Sequence, residues 1–528
     1  MSDRRPVLAM YDIRGKQEFI FRTNKLQEIV GGSWIIRDLF SDFLFPAARE
    51  VGGVDKADGT GAKGIYSYKE MPAGGGRDSS FFSEEGFWEH MRQGYLGEVV
   101  YDGGGNFLLL FRDAETFRNV TYAFTKAVLK AVGTLRVLGT YVEIADFFHY
   151  DEDNRRLYAK HRVNEAQESN IRPWACLPIV QVDRKTSMPI VWKKRDGNGA
   201  ITEEWSLESR AKIEKYRSEI RKMQISGRGK ISSAERDFYL KNEKKLDRLV
   251  YEKGIESQIA VVYVDGNNMG AQVQEVIRGK TTYNDCVNAL RHFSDEIQRI
   301  YIEEGIRKAM EGVGDSENSY RIVVSAGDEI NFIVNARDAF RCACSYLEGL
   351  REETGASSCA GIAVFNSHAP YADAYRIAEE ACESGKQKMK DIGLQRGCFL
   401  DFHFCQGAIG VSLDRIRREE SGDVLSRPWL IWLDQDSSPN GEYTDYADIR
   451  RIIHILQIFG RSNVKGLMQA ALLSETTLEM ELNRMYAHLS DEKKEGIRDE
   501  WKWLSSYTKK RQALYDIVTG YDMWFSEL

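Results

Sequence analysis

The chain lacks several features that would assign it to familiar classes of protein. Its 528 residues include eight cysteines, none in a Cys-x-x-Cys pair, which argues against a disulfide scaffold and against structural zinc. The eight histidines form neither a His-Asp dipeptide nor a His-Glu-x-x-His motif, so a histidine-based metallohydrolase has little support. No apolar run approaches the roughly 20 residues that span a bilayer.

The charge composition excludes a further class. A net charge of -7 argues against a generally basic nucleic-acid coat protein, although it permits a local basic groove. Residues 1–6 run directly into a strand-like segment at 7–11, without the hydrophobic region of a secretory signal. We therefore expect a cytoplasmic protein of three or four domains that makes no membrane contact.

What the chain does contain is two acidic strand ends in its middle part. Residues 261–270 read Val-Val-Tyr-Val-Asp-Gly-Asn-Asn-Met-Gly, and residues 324–330 read Val-Ser-Ala-Gly-Asp-Glu-Ile. In both segments carboxylates follow an apolar strand at a glycine-containing turn: Asp265 in the first, Asp328 and Glu329 in the second. Carboxylates are ligands for hard divalent cations, so the two ends together predict a metal site for nucleotide chemistry.

The surrounding elements predict how these acids meet. Residues 258–405 read as one domain in the order β-α-β-β-α-β, with the segments 259–264, 281–308, 321–324, 330–334, 337–352 and 359–365, followed by a helix from 371 to about 390. This order is ferredoxin-like, an antiparallel sheet with helices on one face. Its first strand and central hairpin lie side by side, which makes Asp265 and Asp328 neighbours.

The N-terminal part, residues 1–175, repeats this plan. A strand at 7–12 ends in Asp12, a hairpin covers 99–111, and a helix at 114–132 precedes a strand at 136–144. The hairpin tip, Gly103-Gly-Gly-Asn106, has no paired acid. An internal duplication explains the pattern and predicts an α+β chain with two similar domains in a pseudo-twofold pair.

The remaining segments predict a connector and a helical end. Residues 176–257 are a partly helical connector, and residues 406–528 are a C-terminal helical domain. A stretch within the connector has a slight basic excess, which is interpreted as a solvated helix in preference to a nucleic-acid contact. Its basic residues are Arg210, Lys212, Lys215, Arg217, Arg221, Lys222, Arg228 and Lys230.

The chemistry of the site assigns a role to each candidate. Asp265 is expected to bridge two metal ions, with Asp328 and Glu329 as the other catalytic carboxylates and Gly266 in the metal site. The turn after Asp265 leads to a helix N-terminus whose N–H groups suit a triphosphate, and glycine permits close approach of the backbone. Further nucleotide contacts are expected at Gly266, Asn267, Asn268, Gly270, Ser325 and Gly327, although turn chemistry explains the asparagines and the serine equally well.

These residues carry a resemblance to a known family. Asp265-Gly-Asn-Asn-Met-Gly270 and Ala326-Gly-Asp-Glu329 resemble the palm of nucleotidyl cyclases with GGDD or GGDEF hairpins, in particular the polymerase-like large subunit of type III CRISPR systems. The segments 12–33 and 101–107 are similar to the first, degenerate palm of that subunit. Residues 378–386 resemble the family's A-D-x-A-L-x-x-A-K element, whose lysine, here Lys386, contacts the triphosphate.

The resemblance implies a nucleotidyltransferase of antiviral defence. Such an enzyme converts ATP to a cyclic oligonucleotide, cyclic oligoadenylate, and pyrophosphate, with two Mg²⁺ or Mn²⁺ ions in the second palm and the acceptor nucleotide in the first. The resemblance implies ATP as a partner and leaves open RNA, CRISPR effector subunits and a homo-oligomer. No zinc is expected, because only Cys176 remains in the region of the family's zinc module.

Two departures from the family leave alternatives open. Ala326 replaces the first glycine of the hairpin, and Glu329 stands where most CRISPR polymerases have aspartate. The alternatives are a catalytically silent RNA-binding scaffold subunit of a CRISPR ribonucleoprotein and a cyclase that uses GTP.

Overall fold

The structure is a computed structural model in which the contacts divide the chain into two compact units. The first unit is Met1–Lys230 with Met269–Arg299, and the second is Ile231–Asn268 with Ile300–Leu528. None of the helices that the structure describes is long and apolar enough to cross a membrane. The described residues are 5–53, 63–70, 81–103, 106–167, 179–226, 249–252, 256–311, 313, 320–354, 356–405, 411–422, 424–433, 439 and 441–525.

The first unit is built on a five-stranded sheet in the order β2-β3-β4-β1-β5. Strands β3, β4, β1 and β5 are antiparallel neighbours with the ferredoxin-like connection, and a separate hairpin, β6–β7, precedes a long helix. Its elements are β1 (Val7–Arg14), α1 (Lys16–Phe21), α2 (Leu26–Arg37), α3 (Phe45–Gly52), β2 (Gly64–Tyr66), α4 (Glu84–Arg92), β3 (Tyr95–Gly103), β4 (Asn106–Phe111), α5 (Ala114–Ala131), β5 (Arg136–Glu143), α6 (Tyr150–Gln167), β6 (Ile190–Arg195), β7 (Ile201–Ser206), α7 (Leu207–Ser226), α8 (Met269–Ile277) and α9 (Tyr283–Ile297).

Both faces of the first sheet are buried, which explains the unbroken apolar run of β1. Tyr11 packs on one face against Phe117 and Phe124 of α5. Met10 belongs to a core on the other face, in which α8 and α9 contribute Ile277, Tyr283, Cys286, Val287 and Leu290. The helices at 269–297 therefore belong to the first unit, although the sequence places them in the second domain.

Buried polar contacts hold α9 on the first unit. The fully buried guanidinium of Arg291 donates to a carboxylate oxygen of Glu98 on β3, at 2.9 Å, and to the carbonyl of Val99. Glu98 also contacts His90 Nδ1 at 2.8 Å. The side chain of Asn288 on α9 donates to the carbonyl of Phe82 at 2.9 Å and accepts from its N–H group at 2.7 Å.

The second unit has a seven-stranded sheet in the order β14-β13-β12-β11-β8-β10-β9. Its strands β11, β8, β10 and β9 repeat the antiparallel order of the first sheet, and β12 extends it by pairing parallel to β11. The elements are β8 (Gln258–Gly266), α10 (Gly305–Glu311), β9 (Tyr320–Ala326), β10 (Glu329–Asn335), α11 (Ala339–Thr354), β11 (Ser358–Asn366), α12 (Tyr371–Asp391), β12 (Gly397–Phe404), α13 (Leu413–Glu420), β13 (Trp429–Leu433), β14 (Thr444–Asp445), α14 (Tyr446–Leu456), α15 (Arg461–Leu473), α16 (Glu475–Ala487), α17 (Asp491–Gly496), α18 (Arg498–Ser506) and α19 (Lys510–Gly520).

The predicted fold class, two ferredoxin-like domains with a helical C-terminal part, is confirmed. The two helices of the ferredoxin-like order lie together, since Gly305 of α10 faces the ring of Tyr346 on α11, and the additional helix α12 covers the opposite face of the second sheet. Gly361 faces α12, whereas Phe402 contacts Phe340 of α11, and alternate strand residues point to opposite faces. The parallel strand β12 and the strands β13 and β14 were absent from the sequence prediction.

The close contact of α12 with the sheet depends on a glycine. A Cβ atom at Gly361 would lie 1.9 Å from the carbonyl oxygen of Ala378 and 2.5 Å from the backbone nitrogen of Cys382. Both atoms belong to the helix backbone, so no side-chain rotation relieves the clash. Gly361 thus sets the distance between α12 and the strands that carry the acidic site.

We expect Gly361→Ala to destabilise the protein by about 2 kcal/mol or more, because α12 must move off the sheet. Denaturant unfolding of both proteins measures the difference. The matched control is Gly466→Ala within α15, where the added Cβ meets only Glu481 Oε1 at 3.9 Å. That control should be neutral or slightly stabilising because alanine favours a helix. Equal effects of the two substitutions would contradict the close packing.

Candidate active site

A two-residue turn places the acids of the hairpin at the end of the central strands. Ala326 at the end of β9 pairs with Glu329 at the start of β10, which leaves Gly327 and Asp328 as the turn. Gly327 has φ +66°, the left-handed conformation that glycine adopts at the first position of a type II′ turn. Ala326 is therefore accommodated as the last strand residue, and the glycine that the turn needs is Gly327.

The end of β8 lies beside this turn, as the sequence predicted. The register Ile330↔Val264 puts Asp265 next to the first residues of β10. The carboxyl groups of Asp265 and Asp328 interact, and burial, together with the charge of Asp265, raises the pKa of Asp328 to about 7. Two carboxylates this close cannot both ionise without a cost, and a cation beside them would lower that cost.

One cation of the chain already binds there. Lys386 Nζ on α12 donates to Asp265 Oδ2 at 2.6 Å and to the carbonyl oxygen of Gly266 at 2.9 Å. Burial alone would lower the pKa of Lys386, but the charge of Asp265 more than offsets it, and the pKa is raised. The predicted phosphate-binding lysine thus lies at the site, where it contacts two of the predicted metal-binding residues.

Glu329 is held by a tyrosine that the sequence analysis missed. Tyr375 on α12 donates from its hydroxyl to Glu329 Oε1 at 3.1 Å, and its ring makes an edge contact with Tyr263 of β8. One turn earlier, the hydroxyl of Tyr371 donates to the buried side chain of Asn331. The sequence did contain a signal for this contact: two tyrosines four residues apart on α12, which lie on the same face of the helix.

The two asparagines after Gly266 stabilise the turn. Asn267 is 3% exposed, and its amide nitrogen donates to Ser357 Oγ at 2.8 Å and to the carbonyl of Gly397 at 2.9 Å. Asn268 adopts φ +56°, which asparagine tolerates better than most residues, and donates to the carbonyl of Gln395 at 3.2 Å. These contacts fit the turn chemistry that the sequence left open, so we do not assign either side chain to a nucleotide.

The two remaining candidates for nucleotide contacts, Ser325 and Gly270, lie in different units. Ser325 lies in β9 opposite Ile330, one residue before the turn. Gly270 lies in the first turn of α8, which belongs to the first unit, and a Cβ atom there would meet nothing within 4 Å. The expected roles of Ser325 and Gly270 in nucleotide binding stay predictions.

The corresponding acid of the first unit is already neutralised. Asp12 of β1 pairs with Asn106 in register and accepts from Arg14 Nη1 at 3.0 Å, while His161 Nε2 on α6 lies 3.7 Å away. In each unit the helix after the fourth strand brings a basic side chain to the acid: His161 to Asp12, and Lys386 to Asp265. In the first unit Asp12 also contacts the permanently charged guanidinium of Arg14, two residues further along β1. The surroundings of Asp12 are therefore unsuited to a divalent cation.

Most of the basic side chains that the structure describes in the connector pair with acidic side chains of the same chain. Lys212 is buried and donates to Glu208 at 2.6 Å, and Lys215 lies 2.8 Å from Asp38 and 2.7 Å from Asp42. Arg210 pairs with Glu214 at 2.8 Å, and Lys222 pairs with Glu219 at 2.7 Å. These pairs favour the structural interpretation of the helix. Arg228, Lys230 and Cys176 lie outside the described residues.

The donor atoms at the acidic strand ends fit a hard divalent cation. A carboxylate and a backbone carbonyl, on Asp265 and Gly266, converge on one ammonium group, and Asp328 adjoins them. No group of three or more His, Cys, Asp and Glu side chains in the described part of the chain is arranged to hold a metal ion by itself. An open site with few carboxylates suits Mg²⁺, which retains water and takes its other ligands from substrate phosphates.

Fold and site together define a palm-type domain: a ferredoxin-like sheet with carboxylates at the end of its first strand and at the tip of its central hairpin. Residues 258–392 match the family of Cas10/Cmr2 second palm domains. The resemblance inferred from the motifs, to the palm-domain large subunit of type III CRISPR systems, is thereby confirmed. A comparison with curated protein sequences gives no match.

Several solved structures have a similar chain. One is Csm1 in T. onnurineus, which is 13% identical with a TM-score of 0.45, covering 97% of this chain and 65% of that one. Another is the apo Csm1–Csm4 cassette, which is 13% identical with a TM-score of 0.44, covering 76% of this chain and 54% of that one. The cassette in complex with pppApApA is 12% identical with a TM-score of 0.47, covering 98% of this chain and 69% of that one. The chain thus spans about half the length of the Csm1 chain of the apo cassette.

The repulsion between the paired carboxyls predicts that the site costs stability. We expect Asp328→Asn to stabilise the metal-free protein by about 1 kcal/mol at pH 8, because the substitution removes a charge that Asp265 opposes. The folded-state pKa of Asp328 is raised to about 7, so wild type loses stability relative to the variant as the pH rises from about 4 through 7. Thermal unfolding in EDTA at pH 5 and pH 8 measures both effects. A stability difference between the variant and wild type that narrows with rising pH would contradict the repulsion between Asp265 and Asp328.

Proposed function

We propose that the chain is a nucleotidyl cyclase that converts ATP to cyclic oligoadenylate and pyrophosphate in antiviral defence. The observation that carries the proposal is the convergence of Asp265, Asp328, Gly266 and Lys386 at one end of a Cas10/Cmr2-type palm. Paired carboxylates with an adjacent lysine suit a triphosphate and its metal ions. They have no evident purpose in a scaffold, since they oppose one another and cost stability.

Each residue has a distinct task in this reaction. Asp265, Asp328 and the Gly266 carbonyl would hold the divalent cations, and bound cations would neutralise the triphosphate and polarise the attacking 3′-hydroxyl. Glu329, positioned by Tyr375, supplies a further carboxylate at the same strand end. Lys386 binds the phosphates of the donor, as the family resemblance implies. The acceptor nucleotide is assigned to the first palm, whose neutralised Asp12 does not compete for the cations.

Product analysis tests the proposed activity directly. The purified chain is incubated with each of the four nucleoside triphosphates and Mg²⁺ or Mn²⁺, with and without RNA, and the products are resolved by chromatography and mass spectrometry. We expect cyclic oligoadenylate from ATP, and a loss of at least about 100-fold in rate for Asp328→Asn, because the substituted site holds its cations poorly. Cyclic products from GTP alone would instead support the alternative base preference.

The matched control for this experiment is Asp414→Asn on α13. The side chain of Asp414 is 70% exposed and pairs with Arg418 of the same helix, away from the acidic strand ends. It should leave the rate within a few-fold of wild type. The proposal is wrong if wild type and Asp328→Asn give the same absence of oligonucleotide under every condition.

Lys386 is expected to exchange partners during the reaction. In the structure its ammonium contacts the same two oxygens that the proposal assigns to a divalent cation, so lysine and metal compete for them. We expect Lys386→Met to raise the affinity for Mn²⁺ in the absence of nucleotide by about tenfold, while it lowers the affinity for ATP. Calorimetric titration of each ligand measures the two effects.

A second lysine on the same helix serves as the control. Lys390 is largely exposed and lies 3.6 Å from Glu383, so Lys390→Met removes an equal charge from α12 without touching the acidic site. It should leave both affinities nearly unchanged. Weaker Mn²⁺ binding by Lys386→Met would show that the lysine supports the metal site and does not compete with it.

A further inference from the structure

Cations and tyrosine rings lie together along one edge of the first sheet. In this sheet, as the structure describes it, β5 is the outermost strand on that side. The helices α5 and α6 flank the sheet on opposite faces, since Phe117 of α5 packs on Tyr11, whereas Leu157 of α6 belongs to the core around Met10. We use the name edge surface for five side chains: Arg118, Tyr122 and Lys126 on α5, Tyr141 on β5 and Lys160 on α6.

Two cations from different helices meet at the ring of Tyr141. Arg118 Cζ lies 5.7 Å from the centre of the ring, and Nη2 of the same guanidinium donates to the tyrosine hydroxyl at 2.8 Å. Lys160 Nζ lies 4.3 Å from the same ring centre and donates to the carbonyl oxygen of Tyr141 at 2.8 Å. Both cations are exposed, so an anion reaches them directly from solvent. Two like charges at one ring favour an anion that both can contact.

Tyr122 and Lys126 continue this series along α5. Starting from Arg118, each lies four residues beyond the one before it, so the three side chains share one helix face at intervals of about 6 Å. The side chain of Tyr122 is 68% exposed, and Lys126 Nζ lies 5.4 Å from the centre of its ring. The sequence of α5 contains one acid, Glu115, against three cations, Arg118, Lys126 and Lys130. The helix is therefore basic and presents an open aromatic ring among its cations.

The cations of the edge surface differ from their neighbours on α6, which have carboxylate partners. Arg155 pairs with Asp151 at 2.8 Å, and Arg156 pairs with Asp153 at 2.7 Å. Among the residues that the structure describes, none of the three cations of the edge surface forms an ion pair with a carboxylate. The edge surface thus keeps a local positive charge in a chain whose net charge is -7. Phosphates separated by flat bases are the complement of cations that alternate with rings.

We propose that the edge surface binds single-stranded nucleic acid. Arg118 and Lys160 contact one phosphate, Lys126 contacts a neighbouring phosphate, and a base stacks on the open ring of Tyr122. A duplex keeps its bases stacked on one another and offers none to this ring. None of the five side chains belongs to the acidic strand ends, so the proposal does not depend on nucleotidyl transfer.

The experiment follows binding of the full chain to fluorescent single-stranded RNA and DNA of about 12 nucleotides, by anisotropy at a series of salt concentrations. EDTA is present and nucleoside triphosphate is left out, so the result is independent of catalysis. We expect the logarithm of the affinity to fall with the logarithm of the salt concentration with a slope of about -2, because three cations meet phosphates. The two labelled strands show whether RNA or DNA is preferred. Equal binding of a duplex, or of polyglutamate of the same length, would overturn the proposal.

Substitutions at exposed positions assign the binding to the edge surface. Lys160→Gln should make the salt slope shallower by about 0.7, because one phosphate contact is lost. Tyr122→Ser should weaken the affinity at least about fivefold without changing the slope, and Tyr122→Trp should restore it, because stacking carries no charge. The controls are Arg155→Gln, which removes an equal charge from α6, and Phe148→Ser, whose phenylalanine is 61% exposed in the same unit. Edge variants that bind like wild type, or controls that lose as much affinity, would overturn the proposal.

Discussion

The site of this protein depends on the repulsion between two carboxyl groups at the end of a buried sheet. Asp265 lies at the end of β8 and Asp328 in the turn before β10, and these two strands pair side by side, so the backbone register brings the two residues together whether or not a cation is present. Lys386 partly compensates for the repulsion by contacting Asp265 and the Gly266 carbonyl. The surrounding fold must supply the stability that this repulsion costs.

The two ferredoxin-like sheets show how one arrangement gives two different sites. In each unit an aspartate lies near the end of the first strand and faces a helix that follows the fourth strand. In the first unit Arg14 lies two residues beyond Asp12, on the same face of β1, and neutralises it locally. In the second unit the nearest cation is Lys386, on a helix 121 residues away in sequence. A long flexible side chain of this kind can leave its partner, whereas the short Arg14–Asp12 contact is built into the strand.

The sequence predicted most of the strands and the acidic site because these depend on local patterns. The apolar runs before Asp12 and Asp265 and the glycine turn before Asp328 are visible in a single chain, and their order predicts the ferredoxin-like connection. The grouping of α8 and α9 with the first unit depends on contacts such as Arg291 with Glu98, 193 residues apart, which no local pattern reveals. For the same reason the sequence left Asn267 open between a ligand and a turn residue, since its bonds to Ser357 and Gly397 join distant segments.

The predicted boundary at residue 405 separates segments that share one core. Trp429 of β13 packs against Phe402 of β12 and Phe340 of α11, so residues on both sides of the boundary complete the same sheet. Beneath them, Asp401 on β12 is bonded to Arg417 on α13, and Asp516 on α19 accepts from the backbone beside Arg427. Removing one member of such a buried set leaves another charge unpaired. The helices of the C-terminal part therefore fold with the second palm, and a chain cut at residue 405 would expose Asp401 without its guanidinium partner.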